Sequence, residues 1–206
     1  MEVNSYIYKN NKKFIYFPLH VDPESSTMIL TPMLSNQLNM IDLISKSLPS
    51  DMVLVVKEHI PMIGRRKNSF YKILSSMPKV ILVDPFLNSS HLIKSSSIVC
   101  GISGTAVLEG ILHKKPFLLL GNAPFKPIAE PHVWNGNIYD LKKYIIKCMN
   151  FKNYDEKLLI KYFSLLHSMS FDLPSRIMWD YKNTTKNEKI KCSSIVFKNL
   201  KKHLSL

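Results

Sequence analysis

The segment from Val99 to Gly121, VCGISGTAVLEG followed by ILHKKPFLLLG, constrains the fold of this chain more than any other. Ser97 to Cys100 reads as a short buried strand. Gly101, Ser103, Gly104 and Thr105 then make a small-residue turn that opens a helix over about residues 105–113. Ala106, Leu108, Ile111 and Leu112 are expected to face a sheet, and Lys114-Lys115 to close the last turn. Pro116 stops the helix, and Phe117 to Leu120 is a second buried strand ending at Gly121. A strand–turn–helix–strand unit aims free backbone N–H groups, and the positive end of a helix dipole, at one spot beyond the first strand. Anions, phosphates above all, bind at such a spot. Glu109 lies one helical turn past Thr105 on the same face, where a ribose hydroxyl would sit. The pattern is neither the dinucleotide fingerprint nor a P-loop, because no Gly-Lys-Ser/Thr follows. An ordinary tight βα turn would carry the same residues.

The rest of the chain repeats the alternation. Near-continuous apolar runs at Lys13–Leu19, Met52–Val56 and Val80–Val83 suit strands buried on both faces. Helical spacing follows over 36–47 and 69–76, and Asn88-Ser89-Ser90 caps a short helix over 91–94. Residues 25–32 and 122–134 read as loops, and further helices are expected over 138–149, 155–169 and 192–204. Five short strands with helical crossovers predict a Rossmann-like, doubly wound parallel α/β sheet, because parallel neighbours require crossovers. Three segments are expected: a polar lead-in over 1–12, the Rossmann-like domain over 13–170, and a basic, partly helical extension over 171–206.

Composition narrows the classes. With 206 residues, 46% of them apolar and 10% aromatic, the chain can bury a core and is not wholesale disordered. No apolar run approaches the roughly 18 residues of a membrane span, and the amino terminus lacks the basic-then-apolar plan of a signal peptide. Cys100, Cys148 and Cys192 are odd in number and lack metal-ligand spacing, so a reducing cytoplasm is expected. Of the net charge of +13, nine come from Lys142 onward, where 14 Lys or Arg face 5 Asp or Glu. Such a surplus favours anionic surfaces, including the inner face of a membrane at which the protein would be peripheral. Solvated lysines without a partner explain it equally. No aromatic-interleaved platform or zinc finger is present, so nucleic acid is not an expected partner.

Four polar clusters fall at strand carboxyl ends, where open α/β sheets place their ligands. They are His20 to Glu24, Lys57 to Pro61, Asp84-Pro85 and Gly101 to Thr105. His59 is the candidate for protonating or bonding a departing phosphate, histidine being the side chain that titrates near neutrality. A loop histidine capping a carbonyl would look the same. Lys57 with Arg65 and Arg66 would neutralise a diphosphate or a sugar carboxylate, or decorate a solvated loop. His20 with Glu24 carries the same pair of readings. Ser103 has no Gly-x-Ser-x-Gly context, so it is not read as a hydrolase nucleophile. No acidic or histidine cluster has metal-ligand spacing, and neither metal nor cofactor is expected.

The ordered set Phe17-Pro18-Leu19-His20…Pro23-Glu24, Val56-Lys57-Glu58-His59, Phe70-Tyr71…Leu74, Val83-Asp84-Pro85 and Gly101-Ile102-Ser103-Gly104-Thr105…Glu109…Lys115-Pro116-Phe117…Gly121 resembles the bacterial capsule polysaccharide biosynthesis family. That family includes the Kdo transferases and is similar to two-domain, GT-B-type sialyltransferases. The resemblance runs from about Phe14 to Gly121. It implies the carboxyl-terminal, donor-binding half of a GT-B glycosyltransferase, taking a nucleotide sugar that is CMP-linked and serving a polysaccharide or lipid-linked acceptor. By the same resemblance His59 assists departure of the nucleotide phosphate, Ser103 and Thr105 bind that phosphate, and Glu109 lies near the ribose. His20, Glu24, Lys57, Glu58, Arg65, Asp84, Gly101 and Gly104 complete the expected donor site. Two departures accompany it. Ile60 separates His59 from Pro61 where the family has an adjacent pair, and the chain starts close to the first strand of the second domain. A separate amino-terminal domain carrying the acceptor site is therefore an expected partner, with the chain read as a fragment or truncated product. A non-catalytic basic module for nucleotide or anionic polysaccharide, and a nucleotide-sugar epimerase, are the competing readings.

Overall fold

The computed structural model describes residues 13–130, 132–170 and 183–204. They form two compact units that divide after Tyr154. The expected lead-in over 1–12, and the first part of the expected extension, 171–182, lie outside the described residues.

The first unit is a five-stranded, wholly parallel sheet. Its strands are β1 (Lys13–Pro18), β2 (Met52–Lys57), β3 (Val80–Val83), β4 (Ile98–Gly101) and β5 (Phe117–Leu119), in the spatial order β3-β2-β1-β4-β5. Strand order reverses between β1 and β4, where Ile15 pairs with Leu54 of β2 on one side and Ile98 of β4 on the other. A crevice outside the strand ends is expected at that switch point. All six residues of β2 are buried, as are four of the six in β1. Burial on both faces explains why these strands read as unbroken apolar runs rather than alternating ones.

Helices cover both faces. Helices α1 (Ser25–Met28), α2 (Gln37–Ser47), α3 (Asn68–Ser76), α4 (Ser89–Ser95), α5 (Thr105–Leu112), α6 (Lys126–Ala129) and α7 (Leu141–Met149) belong to this unit. Ile15, Phe17, Leu54, Val56, Ile98, Cys100 and Leu118 point to one face, where Ile41 and Ile44 of α2, Leu74 of α3, and Leu141, Ile145 and Cys148 of α7 complete one core. On the other face α4 and α5 lie together, and α5 packs on β4 and β5. Asparagine caps start two of these helices: Asn88 accepts from the amide of His91 at 3.2 Å, as the sequence suggests, and Asn36 from that of Asn39 at 3.2 Å.

Three local expectations are corrected, the first being the loop expected over 122–134, of which Lys126–Ala129 form α6. Residues 25–32 are not merely loop: the Glu24 carbonyl accepts from the amides of Thr27 and Met28, forming α1, and Pro32–Leu34 makes a 3-10 turn. Helix α5 turns Val107, Gly110 and Ile111 inward, whereas Leu112 is 58% exposed. Gly110 sets this face, because a Cβ there would lie 3.1 Å from the Val99 side chain. The missing side chain thus relieves a tight contact where the helix approaches β4.

The second unit contains α8 (Glu156–Met169) and α9 (Lys186–Leu204). Asp155 caps α8 by accepting from the amide of Leu158 at 3.0 Å. Among the described residues no helix is long and apolar enough to cross a membrane.

Candidate functional site

A cleft of about 390 Å³ opens at the switch point, beyond the carboxyl ends of β1 and β4. The loop after β1 supplies His20 and Glu24, α1 supplies Ser26, the end of β2 supplies His59, the turn into α5 supplies Ser103 and Gly104, and α5 itself supplies Thr105 and Glu109. Three distant segments of the sequence, carrying His20, His59 and the Ser103–Glu109 stretch, thus share one cavity. Tyr16 and Ser89 line it as well.

The floor is the amino end of α5. Gly104 is its N-cap residue, extended at φ −80° and ψ 162°, with no side-chain acceptor on the first-turn amides. The Val107 amide donates to the Gly104 carbonyl at 3.3 Å, and the amides ahead of it, with the helix dipole, face the cleft. Two buried polar atoms in the wall have no partner: Nε2 of His20 and Oγ of Ser103. These residues are only 6% and 7% exposed. Leaving a buried polar group unpaired costs about 1–3 kcal/mol, and folds retain such groups where a ligand completes them. Backbone amides at a helix start, a hydroxyl and an imidazole nitrogen thus converge on one small pocket.

His20 is held from both ends. Its backbone amide donates to Gln37 at 2.8 Å, and its carbonyl accepts from Gln37 at 3.3 Å and from the Arg66 guanidinium. Its ring packs against Gly104, where a Cβ would come within 3.1 Å of Cε1. Nδ1 faces the Ser26 hydroxyl at 3.4 Å, and that hydroxyl donates to Glu24 at 2.7 Å. Burial pushes the His20 pKa down, with Glu24 opposing the shift while His59 and Arg66 reinforce it.

Lys57, Glu58 and His59 leave β2 in three environments. Lys57 is buried and donates to the Ser89 hydroxyl at 3.0 Å; burial lowers its pKa and Asp84 partly offsets the effect. Glu58 is 4% exposed and accepts from Arg66 Nε at 2.8 Å, from the Tyr71 hydroxyl at 2.9 Å and from the His59 amide at 2.6 Å. Arg66 also lies 3.7 Å from Asp22, with its guanidinium carbon 4.7 Å from the centre of the Phe70 ring. Tyr71 responds to burial and to the Glu58 carboxylate, its pKa pushed up to about 12. His59 is exposed and lines the cleft.

The expected residues thus sort into groups. His20, Glu24, His59, Ser103, Gly104, Thr105 and Glu109 line the cleft. Lys57 and Glu58 stand behind it. Gly101 is buried packing, since a Cβ there would meet Val107 at 2.9 Å. Asp84 is exposed and accepts from the Phe86 amide at 2.8 Å. Arg65 is exposed, and its neighbour Arg66 is the one that turns inward. No lysine or arginine is among the described residues lining the cleft. Sequence reasoning missed Tyr16, Ser26, Gln37 and Ser89. Gln37 did leave a signal: it is a polar residue on the buried stripe of α2 that includes Met40, Ile41 and Ile44. Among the described residues no group of three His, Cys, Asp or Glu is placed to hold a metal.

The parallel sheet and its switch-point cleft define a Rossmann-like α/β domain. No family model matches the chain, and no curated protein matches its sequence. Solved structures match its fold. A UDP-GlcNAc 2-epimerase from Methanocaldococcus jannaschii aligns with a TM-score of 0.54 at 20% identity, covering 75% of this chain and 45% of that one. An S. aureus MnaA–UDP co-structure aligns at 0.50 and 19% identity, covering 73% and 40%. A β-Kdo 2,7 transferase, KpsC from Thermosulfurimonas dismutans, aligns at 0.49 and 17% identity, covering 70% and 47%. The chain spans less than half the length of each of these three proteins.

Proposed function

We propose that this chain is the donor-binding domain of a glycosyltransferase in capsular or other surface-polysaccharide synthesis, and that its donor is a CMP-activated sugar. The observation that carries this reading is the pair of buried, unpartnered atoms, His20 Nε2 and Ser103 Oγ, at the uncapped start of α5. The donor phosphate sits there, held by the Ser103 and Thr105 hydroxyls and the first-turn amides. Glu109 receives the ribose, and His59 assists the departing phosphate.

Charge supports CMP over a diphosphate carrier. The described cleft offers two carboxylates, Glu24 and Glu109, and no lysine or arginine. A helix terminus carries only about half an elementary charge, which suits one phosphodiester anion better than two. The acceptor, polysaccharide or lipid-linked, is brought by a second domain. Met28, Ile29, Met33, Ile60, Ile63 and Phe86 are exposed on the loops after β1, β2 and β3, an apolar rim suited to a domain closing on the cleft. Peripheral contact of the basic carboxyl-terminal segment with an anionic membrane belongs to the same proposal.

Calorimetry against CMP, UMP, UDP and ADP tests it. CMP binds most tightly, and Thr105→Val weakens CMP about tenfold or more through the loss of one charge-assisted hydrogen bond. No binding of any of the four overturns the reading. Tighter binding of UDP moves the chain to the epimerase reading.

A further inference from the structure

A pocket that attracts an anion ordinarily supplies a cation, and the described lining of this one has none. The neighbouring cations are engaged behind the wall: Arg66 by Glu58, Asp22 and the His20 carbonyl, and Lys57 by Ser89. Against that deficit stands the His20 ring, fixed between Gly104 and the Ser26–Glu24 pair. The Ser26 proton is committed to the Glu24 carboxylate, which can only accept. Ser26 Oγ therefore accepts from Nδ1–H, and the neutral ring turns a bare Nε2 lone pair into the buried wall. A lone pair repels a phosphate oxygen.

We propose that binding of the donor's phosphodiester draws one proton from solvent onto Nε2 of His20, so that an imidazolium supplies the cation the cleft lacks. The proposal rests on the nucleotide-sugar reading above. The balance is simple: water or buffer gives up the proton, and one N–H bond forms at Nε2. That N–H donates to a phosphate oxygen, while Nδ1–H stays on Ser26 and the Ser26 proton stays on Glu24. The groups facing the ring set the equilibrium. In the empty cleft His59 and Arg66 oppose the imidazolium, as does burial, and Glu24 favours it. Asp22 is engaged with Arg66, Gln37 holds only the His20 backbone, and from α5 the ring meets uncharged Gly104, with the Glu109 carboxylate also lining the cleft. An anion against Nε2 adds the missing favourable charge. Binding and protonation then strengthen each other by the same factor.

The test is calorimetry of the full chain with CMP-N-acetylneuraminate and UDP-N-acetylglucosamine, whose esterified phosphates do not titrate near neutrality. Runs in two buffers of different ionisation enthalpy read the protons taken up. We expect an uptake approaching about one proton, and a Kd that tightens by up to about tenfold per unit as pH falls from about 8 to about 6. His20→Gln keeps a permanent N–H donor and should bind with neither uptake nor pH dependence, whereas His59→Gln retains both. Should His20→Gln fail to fold, NMR titration of the His20 ring in the wild type decides: its pKa rises on ligand addition. Binding without proton uptake overturns this inference and leaves the nucleotide-sugar reading standing, as does uptake that follows His59 instead. If neither ligand binds, both fall.

Discussion

Ser103→Ala separates a hydroxyl built for the fold from one built for a ligand, because the two roles predict opposite signs. Ser103 is 7% exposed and its Oγ has no partner. In the ligand-free protein an unpaired buried hydroxyl costs about 1–3 kcal/mol, and alanine removes that penalty. The substitution leaves the backbone free to keep its turn, and the void is smaller than a methyl group. Ligand-free Ser103→Ala should therefore be as stable as the wild type or more so by up to about 2 kcal/mol. For a protein of this length each kcal/mol raises the thermal midpoint by about 2–4 °C. Affinity moves the other way. A hydrogen bond to a charged group is worth about 1.5–3 kcal/mol, so the Kd for CMP rises about ten- to hundredfold. Thermal melts of the ligand-free variant and calorimetry with CMP read the two halves independently. A variant destabilised by more than about 1 kcal/mol with unchanged CMP affinity would refute the reasoning. The hydroxyl would then have a partner inside the fold.

Glu58→Gln leaves the buried Arg66 guanidinium without its nearest carboxylate. We expect a loss of about 3 kcal/mol in urea denaturation, at the low end for a broken buried pair because Asp22 remains near; a change under about 1 kcal/mol would show that solvent reaches the guanidinium. In an enzyme assembled with an acceptor domain, His59→Ala should lower transfer about 10²–10⁴-fold while leaving nucleotide affinity nearly unchanged. Retention of most of the rate would make His59 a structural loop residue. Acid should also weaken the ligand-free fold. Burial lowers the pKa of both His20 and His132, so below the ordinary value of about 6.5 the unfolded chain binds more protons than the folded one. Stability is full above that value and falls as pH drops toward the lowered ones. Denaturation midpoints that stay level from about pH 7.5 to about pH 5.5 in both the wild type and His132→Gln would contradict this.

The strands were legible because burial on both faces leaves no room for polar residues, so β1 and β2 stand out as apolar runs. The Asn88 cap was legible because an asparagine side chain meets the first amides of its own helix, a purely local interaction. Tertiary effects were harder to read. Helix α5 is apolar nearly all round, with Ala106, Val107, Leu108, Ile111 and Leu112, so periodicity could not choose its inner face. The choice fell to Gly110, whose missing side chain admits Val99. Helix α1, only Ser-Ser-Thr-Met, has no periodicity and forms around the Glu24 carbonyl. Between Arg65 and Arg66 sequence offers no distinction. The 3-10 turn at Ile60–Met62 and the positive φ of 76° at Gly64 set the path of the backbone that brings Arg66 against Glu58.

The end of β2 also explains how a motif can matter without touching the cleft. Lys57, Glu58 and His59 are consecutive, yet only His59 lines the cavity. Glu58 acts at one remove. Its carboxylate holds Arg66, and Arg66 donates to the carbonyl of His20, so a residue leaving β2 fixes the height of a histidine leaving β1. Gln37 holds the same peptide from α2, and Gly104 leaves room for the ring from α5. Three elements therefore converge on one imidazole, and none supplies a partner for its inner nitrogen. A fold that spends a buried ion pair and a buried amide on placing a side chain, then leaves that side chain's last polar atom unpaired, has organised the space in front of that atom. Under the proposal above, a phosphate oxygen is the occupant that would accept from a protonated ring and meet the first amides of α5.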